Sequence, residues 1–129
     1  MVLVFPHTVT IYNRDKEEHY HRTVITGVLW DSSKGAVVRK TGVSSVDGLQ
    51  LIIPMSAQGY LKPSDWLELA NKTVHWTLQP RDVVVLGKIE YEVVKSIKEL
   101  QQFDDMLTIS NIDTKKFGSN LDHWEVSGK

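Results

Sequence analysis

From Tyr20 to Trp30 the chain deals its side chains alternately into two sets. Tyr20, Arg22, Val24, Thr26, Val28 and Trp30 make one, and His21, Thr23, Ile25, Gly27 and Leu29 make the other. A two-residue period rich in β-branched and aromatic residues places the sets on opposite faces of an extended strand and does not suit the 3.6-residue repeat of a helix. Residues 20–30 therefore predict a strand, and residues 8–12, TVTIY, repeat the pattern on a shorter scale. Further strands are predicted at residues 36–40, at 49–53 (ended by Pro54), and at 74–78, 82–86, 90–97, 106–112 and 123–126. About eight short strands with turn residues between them predict an all-β barrel or sandwich with projecting loops. One short helix is expected over residues 63–70, with Ser64 capping its first turn, Asp65 complementing its dipole and Asn71 stopping it. Ser96 and Glu99 have the spacing of a capping box, which a turn of helix inside the following loop would satisfy.

A chain of 129 residues fits one domain over 1–129. Fifteen basic against 16 acidic residues leave a formal charge of -1, which gives no bulk attraction to nucleic acid. The absence of cysteine excludes disulfides, thiolate metal sites and a cysteine nucleophile. No apolar run approaches the ~20 residues of a membrane helix, and MVLVFPHTV lacks the basic start and long apolar stretch of a signal peptide, so a soluble, non-exported chain without a membrane partner is expected. Residues 31–48 carry turn clusters around the short run Ala36-Val37-Val38 and are expected to project as a loop.

Gly87 is the one glycine whose setting could suggest a phosphate loop. No helical pattern follows it and no second glycine flanks it, so the turn reading prevails. With Pro80 at a strand entrance and Asp82 as a turn residue, residues 80–93 predict a hairpin returning at Gly87-Lys88.

Residues that could carry chemistry are sparse. His19 and His21 would share one face of a strand, yet two ligands do not make a metal site, and no spacing recommends His7, His75, His123 or a carboxylate as a third. Glu17-Glu18 and Asp104-Asp105 are adjacent acidic pairs without catalytic spacing, and no serine sits in a nucleophile elbow. The expectation is a protein that is not an enzyme and has no cofactor. Trp66 and Trp76 are expected in the core rather than on a base- or sugar-stacking surface. Lys34, Val37, Val38 and Arg39 in the loop are candidate interface residues, with Phe117 and Trp124 in a C-terminal tail expected near 114–129.

The pattern W-x-L-x-P-x-D-h-h-h-x-G-x-x-Y-x-V over residues 76–93 is preceded by YLKPSDW and followed by DDMLTISNIDTKKFGS and HWEVSGK. Over residues 60–129 it resembles the small neck proteins of tailed bacteriophages and Firmicutes prophages, the group of head-closure (stopper) and head-tail connector proteins. That resemblance implies a compact β-barrel assembled with copies of itself as a ring between portal or adaptor and tail proteins. DNA would pass through the ring without sequence-specific binding, and the protein would reside in the virion, and in the host cytoplasm during assembly. A tail terminator or minor capsid protein would use the same kind of fold. A small β-barrel binding an oligonucleotide or sugar would need a clustered aromatic and basic face, and a cupin-like metal enzyme would need His19, His21 and a distant ligand to converge.

Overall fold

The computed structural model describes residues 5–31, 49–119 and 121–128. Six strands are formed there: β1 His7–Arg14, β2 Tyr20–Asp31, β3 Leu49–Pro54, β4 Val83–Leu86, β5 Met106–Lys115 and β6 His123–Gly128. Every neighbouring pair is antiparallel, the order is β1-β2-β3-β6-β5-β4, and β4 pairs back onto β1, so the sheet closes on itself. The result is a small, mainly β domain with two short helices, α1 at Pro63–Leu67 and a 3-10 helix at Ile97–Gln102. Among the described residues no helix is long and apolar enough to cross a membrane.

The alternation in β2 predicts a strand correctly but assigns its faces wrongly beyond Thr26. Gly27 adopts a φ of +74°, and the register with β1 slips there, Thr8 facing Thr26 while His7 faces Val28. This bulge exchanges the faces of the strand. Ile25 before it and Val28 and Trp30 after it all point into the core.

The strand expected at 36–40 lies outside the described residues. Among those described, fewer strands form than the pattern predicts, and the misses have physical causes. Residues 74–78 are not a strand: Trp76 makes a single parallel bridge to Tyr60, and Thr77 is held by a side chain. Nor do residues 90–97 form the second arm of a hairpin. Gly87, at a φ of +100°, donates its amide to the Thr8 carbonyl, and its own carbonyl accepts from Thr10 Oγ1. Both edges of β4 are already occupied, one by β1 and the other by β5, so no edge remains for a hairpin partner. The helix also falls short of residues 63–70. It ends at Leu67, with Pro63 in its first turn and no side-chain cap from Ser64.

Residues 89–103 instead cross the outer face of β1 and β4. There Tyr12, Val83, Val85 and Leu100 form a second buried cluster with Ile89, Tyr91, Val93, Ile97 and Phe103 packed against it. Inside the sheet, Val9, Ile11, Val84, Leu51, Ile53, Leu107, Ile109 and Val126 form the main core. The apolar run 83–86 is continuous because β4 is buried on both faces. The covering segment lacks ladder hydrogen bonds and is fastened by side chains. Tyr12 donates its hydroxyl to the Tyr91 carbonyl (2.7 Å), and burial pushes its pKa up to about 12. Arg22 donates to the Ile89 carbonyl and pairs with Glu92.

Glu99 is the main clamp. The capping box expected from Ser96 and Glu99 is present, and the Glu99 carboxylate accepts from the amides of Val94, Lys95 and Ser96 and from the Tyr91 hydroxyl. Those donors hold its pKa down to about 2, against an ordinary 4.5. A lowered folded-state pKa makes this contribution to stability fully present above pH 4.5 and lost as the pH falls through about 2. Chemical denaturation between pH 6 and 2 is therefore expected to show a smaller acid loss of stability in Glu99→Gln than in the wild type. Parallel curves would refute the clamp.

Gly128 pairs with both Leu49 and Ile109 where β5 slips register against β6. A Cβ at this position would lie 1.9 Å from the Thr108 carbonyl oxygen, against backbone that cannot rotate away. Gly128→Ala should cost roughly 1 to 3 kcal/mol, the usual penalty of overpacking, measured as a lower urea midpoint. An unchanged midpoint would mean that this end of β6 is free.

Candidate interaction surface

Antiparallel pairing divides the connections between two ends of the closed sheet. Asp31 and Leu49, which anchor the segment between β2 and β3, lie at one end with His7 and Gly128. The other end carries the β1–β2 hairpin, residues 55–82 and the β5–β6 turn. This second end gathers a set of polar and aromatic groups.

Its floor is aromatic. Tyr60, Trp76 and Trp124 pack with ring centroids 4.4 to 6.0 Å apart, and the Trp76 indole donates to the Gln58 carbonyl. Gly59 permits this packing, because a Cβ there would meet the Trp76 ring at 3.2 Å and the Val74 carbonyl at 2.8 Å. Trp66 is wholly buried, donating to the His75 carbonyl, with the His21 ring nearly perpendicular to its own at a centroid distance of 5.6 Å. All four tryptophans are buried, so none offers a stacking surface for bases or sugars.

Beneath α1 a buried polar hub joins β1 to the chain before β4. The Asn13 side chain accepts from the Thr77 amide and donates to the Thr77 carbonyl, doing for that residue what a strand ladder would do. Asn13 Nδ2 also donates to Asp82, as do Gln79 Nε2 (2.7 Å) and the Arg14 amide. Burial pushes the Asp82 pKa up to about 6, against the pull of those three donors.

Above the hub the β1–β2 hairpin is tied by Asp15, whose Oδ1 accepts from the amides of Glu17 and His19 and whose Oδ2 lies 2.7 Å from His21. Burial would raise its pKa, but His21 and the two amides hold it below the ordinary value. His19 is exposed and pairs loosely with Glu17, so the two histidines do different things. No three His, Asp or Glu side chains among the described residues are placed to hold a metal ion. Between hairpin and helix lies a depression of about 650 Å³, lined by Arg14, Asp15, Lys16, Glu17, Glu18, Pro63, Leu67, Gln79, Pro80 and Asp82.

Across the same end, the β5–β6 turn presents Phe117 (70% exposed) and Leu121 (47%). Asp122 shapes it: its Oδ1 accepts from the amides of Phe117 and Ser119, which hold its carboxyl below the ordinary range. Phe117, a candidate interface residue, is thus exposed. Trp124 is 7% exposed in the main core, and the tail expected near 114–129 is not free where β6 runs, over His123–Gly128, between β3 and β5. Alternation along HWEVSG, with Trp124 and Val126 inward, is the signal for that strand. Lys34, Val37, Val38 and Arg39 lie outside the described residues. The acid-lined depression escaped sequence reading because its walls come from three separate stretches.

Residues 4–129 match the model of a family of unknown function, DUF6751. The chain belongs to DUF6751. No curated protein and no solved structure matches it. The family description carries no activity, so function in this DUF6751 member has to be argued from the surface just described.

Asp82 supplies a test of that surface's floor. Its folded-state pKa lies above the ordinary 3.8, so its contribution to stability is fully present below that value and is lost as the pH rises through about 6. The stability of the wild type relative to Asp82→Asn should increase as the pH falls from 7 to 4. A constant difference would place the carboxyl in water.

Proposed function

We propose that this chain is a structural neck protein of a tailed phage or prophage, of the head-closure or head-tail connector type, and that its closed sheet is a small β-barrel acting as one subunit of a ring. The observation that carries the reading is the exposed Phe117 on a turn built by Asp122, at the barrel end opposite the anchors of residues 32–48. A rigid wall with connections at both ends is what a subunit needs to hold lateral neighbours and the rings above and below it. Large apolar side chains exposed on an otherwise polar turn mark partner surfaces. On this reading the partners are further copies of the chain and the portal or adaptor and tail proteins. DNA passes through without sequence-specific contact, the protein does no chemistry, and its sites are the virion and the host cytoplasm during assembly. Its near-neutral formal charge of -1 suits a ring that must not trap a polyanion. A tail terminator or minor capsid protein would share these features at another station.

Replacing residues 32–47 by a short Gly-Ser turn, in a phage that carries the gene, tests the reading. Filled heads and separate tails should accumulate while the purified variant still folds cooperatively. Normal yields of infectious particles would defeat it.

A further inference from the structure

The order β1-β2-β3-β6-β5-β4 puts the β1–β2 hairpin and the β5–β6 turn on opposite flanks of the same end of the closed sheet. The two flanks differ in chemistry. On the hairpin side, the depression of about 650 Å³ has Pro63, Leu67 and Pro80 in its walls and four carboxylates, Asp15, Glu17, Glu18 and Asp82, against two cations, Arg14 and Lys16. Lys16 is directed at Glu68, which does not line the depression, while Glu18 and Glu17 make only long, exposed pairings, with Arg14 at 3.7 Å and with His19 at 3.9 Å, so the rim keeps an excess of carboxylates. The turn side carries Lys115 and Lys116 beside the exposed Phe117 and Leu121. No ion pair among the described residues engages either lysine; Lys116 acts on Asp122 only at longer range, behind the backbone amides that the carboxylate accepts from.

We infer that the β5–β6 turn of one chain seats in the hairpin-side depression of a second copy, with Phe117 against Pro63 and Leu67 and with Lys115 and Lys116 facing Glu17 and Glu18. The inference rests on the ring reading above and names its lateral contact. An acid-rimmed apolar depression and a basic apolar turn are complementary in charge. Because they are different patches, a single such contact leaves one patch free on each copy, so it can propagate from copy to copy and close as a ring when the rotation permits. An end-to-end two-fold dimer would make both pairings at once and stop at two copies, so species larger than a dimer mark the ring contact.

Sedimentation velocity on the purified chain over a concentration series up to about 1 mM tests this, since a single lateral contact of this kind is expected to be weak until many copies assemble. Self-association beyond the dimer should appear and weaken with added salt. Lys115→Glu/Lys116→Glu and Glu17→Lys/Glu18→Lys should each weaken it by about tenfold or more, because two attractive pairings become repulsive. Their equimolar mixture should restore it, since each turn then finds a depression of opposite charge. Phe117→Ser should weaken it without altering the salt dependence. All these residues except Lys115 are well exposed, and thermal melting of each variant checks that the fold is intact. A chain monomeric at every concentration, association that stops at a dimer, association indifferent to both charge reversals, or a mixture that fails to restore it would overturn the contact. This outcome is independent of the phage deletion: association through this contact in a protein whose deletion spares the particles would defeat the neck reading and leave the contact standing.

Discussion

Four residues, Val83 to Leu86, set the terms for the rest of the structure, because β4 must pair with β1 on one side and β5 on the other to close the sheet. A strand with both edges taken cannot begin a hairpin, so the chain leaving Gly87 has to run across the sheet rather than beside it. Crossing the outer face buries what would otherwise be the solvent side of β1 and β4. Tyr12, Val83 and Val85 thereby become core residues outside the sheet. The segment that covers them has lost the ladder as a source of backbone hydrogen bonds. Side chains supply the missing partners, with Tyr12, Arg22 and Glu99 each taking one or more of its peptide groups.

The same substitution of side chain for strand recurs at the hub, where Asn13 serves both peptide groups of Thr77. The carboxylates that organise these two places sit in opposite environments. Glu99 is close to solvent and surrounded by donors, so its charge is favoured; Asp82 is 3% exposed, and its three donors do not offset the loss of water. Burial decides between them, since each accepts several hydrogen bonds. The consequence is a protein with one carboxylate that resists acid and another that resists ionisation, on either side of the same strand pair.

How much of this could be read from sequence depends on the range of the interaction that decides each feature. The capping box of Ser96 and Glu99 is local, and it forms as its spacing predicts. Alternation in β2 locates the strand, but a residue that merely continues the alternation on paper, Gly27, exchanges its faces through a positive φ. Residues 80–93 have the chemistry of a hairpin, and only the distant claims of β1 and β5 on β4 prevent one. The two aromatic residues near the C-terminus, both expected at an interface, part company for a related reason. Phe117 and Trp124 have similar polar neighbours, and it is β3, seventy residues earlier in the chain, that turns Trp124 inward and leaves Phe117 in solvent. The depression beside the hairpin was beyond such reading, since the hairpin, α1 and residues 79–82 meet only once the sheet has closed.

The position of β6 has a consequence for the order in which the protein acquires its structure. Of the six strands it is the last to be synthesised, yet it lies between β3 and β5 rather than at the margin of the sheet. A chain still attached to the ribosome, with residues 123–128 inside the exit tunnel, holds β3 and β5 with one edge each unpaired and the cavity between them open to water. Strand edges in that condition can recruit the wrong partner. Closure therefore waits until residues 123–128 have left the tunnel, and the long-range pairing of β6 with β3 is the event that converts an open, association-prone sheet into a sealed one.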